Sequence, residues 1–155
     1  MTETTTLSFD FARFEAEQRV RAEAADALRP RNKTALFAAL AEAGVTTVTV
    51  EFDGYGDSGQ IESIDAKAGE ADAELPDASV ALVTLGWRDT DPTERAMSVR
   101  EAIEHMAYGC LAQTHGGWEN NEGAFGTFVF DVAERSIALE YNQRFEDYES
   151  YEHAF

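Results

Sequence analysis

The stretch VTTVTVEFDGYGDSGQIESID, Val45 to Asp65, decides the fold. Val48, Val50 and Phe52 alternate with Thr47, Thr49 and Glu51, a period of two that belongs to a strand with one face buried. The run ends in Asp53-Gly54-Tyr55-Gly56-Asp57-Ser58-Gly59, a wide hairpin turn, and Gln60 to Asp65 reads as the return strand.

Upstream of this stretch the period is helical. A first helix is expected from a Ser8 cap, with Phe11, Phe14, Ala24, Ala27 and Leu28 recurring until Pro30 stops it. A second, over Thr34 to Ala43, carries Leu36, Phe37 and Leu40 on one face and Gly44 at a left-handed cap. Downstream, the acidic segment Lys67 to Asp77 lacks periodicity and reads as a loop, and Val80 to Leu85 is a candidate extra strand. Asp91-Pro92-Thr93-Glu94 has the form of a helix start. The helix it opens is expected to bury Ala96, Val99, Ile103, Met106, Ala107, Cys110 and Leu111 and to end at Gly116-Gly117. Phe128, Phe130 and Val132 then alternate, Ala133-Glu134-Arg135 turns, and Ile137, Leu139 and Tyr141 alternate in return. The expected fold is α+β, an antiparallel sheet of two hairpins covered on one face by helices. The 155 residues, 44% of them hydrophobic, suit one domain, with a helical segment over 1–44 and an α+β core over 45–155.

Charge narrows the partners. The formal net charge is −18; residues 1–44 hold seven acids and six bases, which leaves 23 acids and six bases, a net of −17, in residues 45–155. Such a field repels nucleic acid and anionic membranes and draws basic partners inward, although acidity also serves solubility. No apolar run approaches a membrane span, the first eight residues lack the pattern of an export signal, and Cys110 has no second cysteine to pair with. These features lead to the expectation of a cytoplasmic protein that binds neither membrane nor nucleic acid directly.

Motifs for chemistry are sparse. The glycine-rich turn Asp53 to Gly59 joins strand to strand and brings two aspartates, whereas a phosphate loop sets backbone N–H groups at a helix N-terminus. Its Asp53, Asp57 and Ser58 are oxygen ligands without the spacing of a calcium loop. The second glycine-rich stretch, Thr114 to Gly126, follows a helix. Capping explains one glycine, and Trp118 suits a lid on the core, but Glu119, Asn120, Asn121 and Glu122 extend the loop beyond what capping needs. The two loops are expected at the same end of the sheet. His105, His115 and His153 fall in no HxxxH or HExxH pattern; His115, with Glu119 and Asp53 near in the expected fold, is the best-placed acid/base or metal candidate.

The residues Val50 to Glu62, the block Thr114 to Val132 and Leu139-Glu140-Tyr141-Asn142 resemble a domain-of-unknown-function family of small acidic proteins encoded on bacterial plasmids and other mobile elements. The resemblance covers residues 45–155 and implies a setting on mobile DNA, where small acidic proteins protect the element against host defence. It carries no catalytic residue and no cofactor. The leading expectation is therefore a non-enzymatic protein that occupies a basic surface on a nucleic-acid-handling protein, as an anti-restriction or anti-CRISPR inhibitor would. The candidate contacts are Glu51, Asp53, Tyr55, Asp57, Glu62, Trp118, Glu119, Asn120, Asn121 and Glu122, with Asp65, Glu146, Asp147, Glu149 and Glu152 as further carboxylates. The alternative is a small metal-dependent enzyme or ligand-binding domain that uses the loops Asp53–Gly59 and Gly116–Gly123.

Overall fold

The computed structural model describes residues 2–56, 58–85, 91–120, 122–145 and 149–155, with side chains from residue 11 onward. The element order is α1 (Thr2–Ala27), α2 (Arg29–Glu42), β1 (Thr47–Tyr55), β2 (Ser58–Ala68), β3 (Ala71–Ala73), β4 (Ser79–Thr84), β5 (Thr93–Ser98), α3 (Val99–Thr114), β6 (Ala124–Asp131) and β7 (Ser136–Gln143). The α+β class expected from the sequence is the class observed. The chain divides into two compact units, residues 1–44 with 75–114, and residues 45–74 with 115–155. The helical segment 1–44 is thus grouped with a later part of the chain.

The second unit is a five-stranded antiparallel sheet in the order β3-β2-β1-β6-β7. The two expected hairpins, β1–β2 and β6–β7, lie side by side because β1 also pairs with β6, Val50 opposite Phe128 and Val48 opposite Phe130. Alternation places Val48, Val50, Phe52, Phe128 and Phe130 on a buried face, each 0–2% exposed. Thr47, Thr49, Glu51 and Asp53 point to the opposite, open face. A bulge in the β1–β2 pairing falls between Glu51 and Phe52. The segment expected as a loop from Lys67 contains the end of β2 and the short edge strand β3, which pairs Ala66 with Ala73 and Lys67 with Asp72. Alternation too short to register over three residues explains why periodicity missed it.

The first unit differs more from expectation. The first helix ends at Ala27, just ahead of Pro30, as expected, but Pro30 itself sits in the first turn of α2, where its missing N–H costs nothing, so α2 starts at Arg29 rather than near Thr34. Gly44 takes the left-handed conformation expected of it, φ +79°, and its N–H reaches the Ala41 carbonyl at 3.0 Å. The candidate strand is β4, but it pairs with β5 in a separate two-stranded sheet, Val80 opposite Met97 and Leu82 opposite Arg95. Thr93 to Ser98 is therefore strand, not helix, and Ala96 is exposed. The helix begins six residues later than Thr93, at Val99, behind a serine cap: Ser98 Oγ accepts from the Glu101 N–H at 3.1 Å and donates to the Glu101 carboxylate at 3.3 Å. From there the expected face is buried at Val99, Ile103, Met106, Ala107 and Leu111, with Cys110 half-buried. Helix α2 packs against β4 and α3. Asn32, the buried polar residue of this core, accepts from the Val83 N–H at 2.8 Å and donates to the Val83 carbonyl at 2.9 Å, which ties α2 to β4 as a further strand would.

Candidate functional site

The two glycine-rich loops meet. Gly117 and Gly123 have φ of +78° and +76°, and the Asn120 N–H to Gly117 carbonyl and Gly123 N–H to Asn120 carbonyl bonds, both 3.0 Å, fold the second loop into two successive turns. Trp118 drops from the first turn onto the β1–β2 hairpin. A Cβ at Gly54 would lie 2.6 Å from its ring, and one at Gly59 within 2.8 Å of its Cζ3, so the glycines of the hairpin are the space in which the indole sits. Its ring stands edge-on to Phe52, with centroids 5.4 Å apart at 87°. At 9% exposure Trp118 is a lid on the core, and the side chains that the loops leave at the surface include the exposed Tyr55 and Asn120 and the half-buried Glu119 and Glu122. Asp57, Asn121, Glu146 and Asp147 lie outside the described residues.

Next to this corner, the open face of the sheet holds an acidic depression of about 370 Å³ lined by Glu51, Asp53, Glu62, Phe125, Thr127, Glu140, Asn142 and Arg144. The strand register explains the grouping. Glu51, Thr127 and Glu140 form one row across β1, β6 and β7, and Asp53, Phe125 and Asn142 form the next. Glu51 and Glu140 therefore stand on either side of Thr127, about 10 Å from each other, two strand spacings. Glu62 joins them because the bulge beside Phe52 turns it to this side. Asp65, opposite Thr49, and Asp131, opposite Thr47, continue the carboxylates along the same face. Glu140, a member of the depression, was absent from the sequence candidates; its position became visible only through the β6–β7 register.

Arg144 was also missed. Its Nη1 donates to Asp53 Oδ1 at 2.8 Å and to the Gly54 carbonyl at 3.0 Å, and its guanidinium lies over the Phe125 ring at 4.7 Å. Its own N–H donates to the Gly123 carbonyl at 2.9 Å, which also accepts from Gln143 at 3.0 Å. One residue thus fastens the end of β7 to both glycine-rich loops. The signal in the sequence was slight: Arg144 is one of three bases in the second unit, which carries 17 acids and a net charge of −14.

The acid/base candidates do not assemble as the sequence suggested. His115 stacks on Tyr141, centroids 3.6 Å apart and planes within 5°, while Asp53 is paired with Arg144. Partial burial and, secondarily, Glu119 push the Tyr141 hydroxyl above its usual range. Among the described residues, no group of three or more His, Cys, Asp or Glu side chains is placed to hold a metal ion. In the first unit a smaller cleft, about 210 Å³, lies beside Asp26, Arg29, His105, Met106 and Gln113. Its arginine is engaged by Asp26 at 3.0 Å, the Gly109 carbonyl at 3.2 Å and Gln113. Burial first, then Arg95 and Arg29, hold the His105 imidazole below its ordinary value.

Among the described residues no helix is long and apolar enough to cross a membrane. Comparison with curated proteins and with solved structures finds no match. A family match does exist, and it starts earlier than the resemblance over residues 45–155 implied, taking in all of α2. Over residues 28–155 the sequence matches DUF6878, a family of unknown function, and the chain belongs to that family.

Proposed function

We propose that this chain is a non-enzymatic acidic protein that binds a basic surface on a second protein, one that itself handles nucleic acid. The observation that supports the reading is the open sheet face, where Glu51, Glu62, Asp65, Asp131 and Glu140 project from a rigid antiparallel frame. Carboxylates on strands are held at fixed separations, which is what competition with a phosphate backbone for a basic channel requires. Asp53 contributes through the pair with Arg144, which neutralises it and orders the rim. On a mobile element such a protein would serve as an anti-restriction or anti-CRISPR inhibitor.

The test is capture of partners by the tagged chain, followed by affinity measurements with the triple variant Glu51→Gln, Glu62→Gln, Glu140→Gln. The expected partner is basic and nucleic-acid-handling. The triple variant is expected to bind at least about tenfold more weakly, and wild-type affinity to fall about tenfold or more between roughly 50 and 300 mM salt. An affinity indifferent to salt, or a partner without a basic surface, would overturn the proposal.

A further inference from the structure

The two edges of the five-stranded sheet are built differently. β3, at one edge, is three residues long, and Glu70, Asp72 and Glu74 alternate through it and its flanks. Short length and charge are the means by which an edge is kept from pairing with another chain. β7, at the other edge, has eight residues, SIALEYNQ, with no proline, no lysine and an uninterrupted register to β6. Among the described residues it pairs on one side only.

Two observations point to what covers it. First, burial stops short at this strand. Phe128 and Phe130 are fully buried, yet Ile137 and Leu139, opposite them on the same face, are only half-buried. One more strand would complete their cover. Second, charge within this unit is at its least negative here. Arg135 and Arg144, two of the three bases in a unit of net charge −14, bracket β7, and residues 135–144 carry a net of +1. Within this unit, two copies would meet with least repulsion along this strand.

The sequence of β7 is also self-complementary in antiparallel register. About a two-fold axis at Leu139, Ile137 faces Tyr141 of the second copy on the apolar face, while Ala138 faces Glu140 and Ser136 faces Asn142 on the open face. A β-branched residue opposite an aromatic one is a favourable cross-strand pair, and no like charges oppose each other. A shift of the axis to Glu140 would set the two glutamates against one another.

We infer that β7 is a homodimerisation edge, pairing antiparallel with β7 of a second copy about Leu139 to give one continuous sheet of ten strands. This edge shares Glu140 and Asn142 with the lining of the acidic depression, but the pairing runs through the β7 backbone and its test reads chain mass, so it stands or falls independently of the partner proposed above.

The test is light scattering and sedimentation equilibrium at near-physiological salt, on the wild type and on two variants at the exposed Ala138. Wild type is expected at twice the 17.1 kDa chain mass at micromolar to tens of micromolar concentration. Ala138→Glu sets two acids opposite each other and is expected to raise the dimer dissociation constant at least about tenfold. Ala138→Lys, facing Glu140 of the second copy, is expected to lower it about threefold or more. Circular dichroism checks that each variant is folded, and the two variants report independently. A wild-type chain that stays at single-chain mass at hundreds of micromolar, or a dimer whose dissociation constant neither variant moves, overturns the inference.

Discussion

Trp118 and the two glycines beneath it act as one piece. The indole fills a gap that exists only because Gly54 and Gly59 have no side chains, and it closes the end of the core at Phe52. Trp118→Ala is expected to cost about 3–5 kcal/mol, as for other buried large aromatic residues. Gly59→Ala is expected to be destabilising on its own, because its Cβ would overlap the ring. With Trp118 already replaced by alanine, the same glycine change should cost at least about 1 kcal/mol less, since the neighbours it would meet are Trp118 and the Glu119 side chain. Urea denaturation of the two single variants and the double variant measures the coupling; equal costs in both backgrounds would show that the indole does not set the space at Gly59. The lid role was readable from sequence, because a tryptophan among turn residues after a helix has few other places to go. The Arg144–Asp53 pair was not: its partners are 91 positions apart, and only the sheet order brings them together.

Among the elements, the long helix α3 and the β6–β7 hairpin were plain from periodicity, and each stands where the alternation or the 3.6-residue repeat placed it. The start of α3 was not. Asp91-Pro92-Thr93-Glu94 and Ser98-Val99-Arg100-Glu101 are both sound helix starts, and local propensity does not rank them. What decides is β4, whose backbone needs a partner; Thr93 to Ser98 supplies it and gives up helix to do so. The other side of β4 is met by Asn32, whose side chain adds two hydrogen bonds at Val83 to the packing of α2 on the strand. Asn32→Ala would leave the Val83 N–H and carbonyl without their partner, and the expected loss is about 2–4 kcal/mol. A change below about 0.5 kcal/mol in thermal or urea unfolding would mean that water replaces both bonds.

At the scale of the whole molecule, charge is unevenly shared: the second unit carries a net of −14 of the total −18. Self-repulsion in that unit opposes its compact state, and added ions relieve it. Raising sodium chloride from about 20 to 300 mM is expected to raise the unfolding midpoint while weakening partner binding, so one titration should move the two readouts in opposite directions. A midpoint that falls or stays flat would show that the carboxylates are spaced widely enough not to oppose folding. The interleaving of the two units has a temporal consequence as well. Synthesis delivers β1, β2 and β3 early, but β1 receives its second neighbour only when residues 124–131 of β6 have been made, after all of residues 75–114 have intervened. Throughout that interval the Val48, Val50 and Phe52 strand stands at an open edge, the kind that captures other nascent chains. Glu51, Asp53, Glu62 and Asp65 lie in the same hairpin, so the growing polypeptide carries its own deterrent to aggregation from the moment that edge leaves the ribosome.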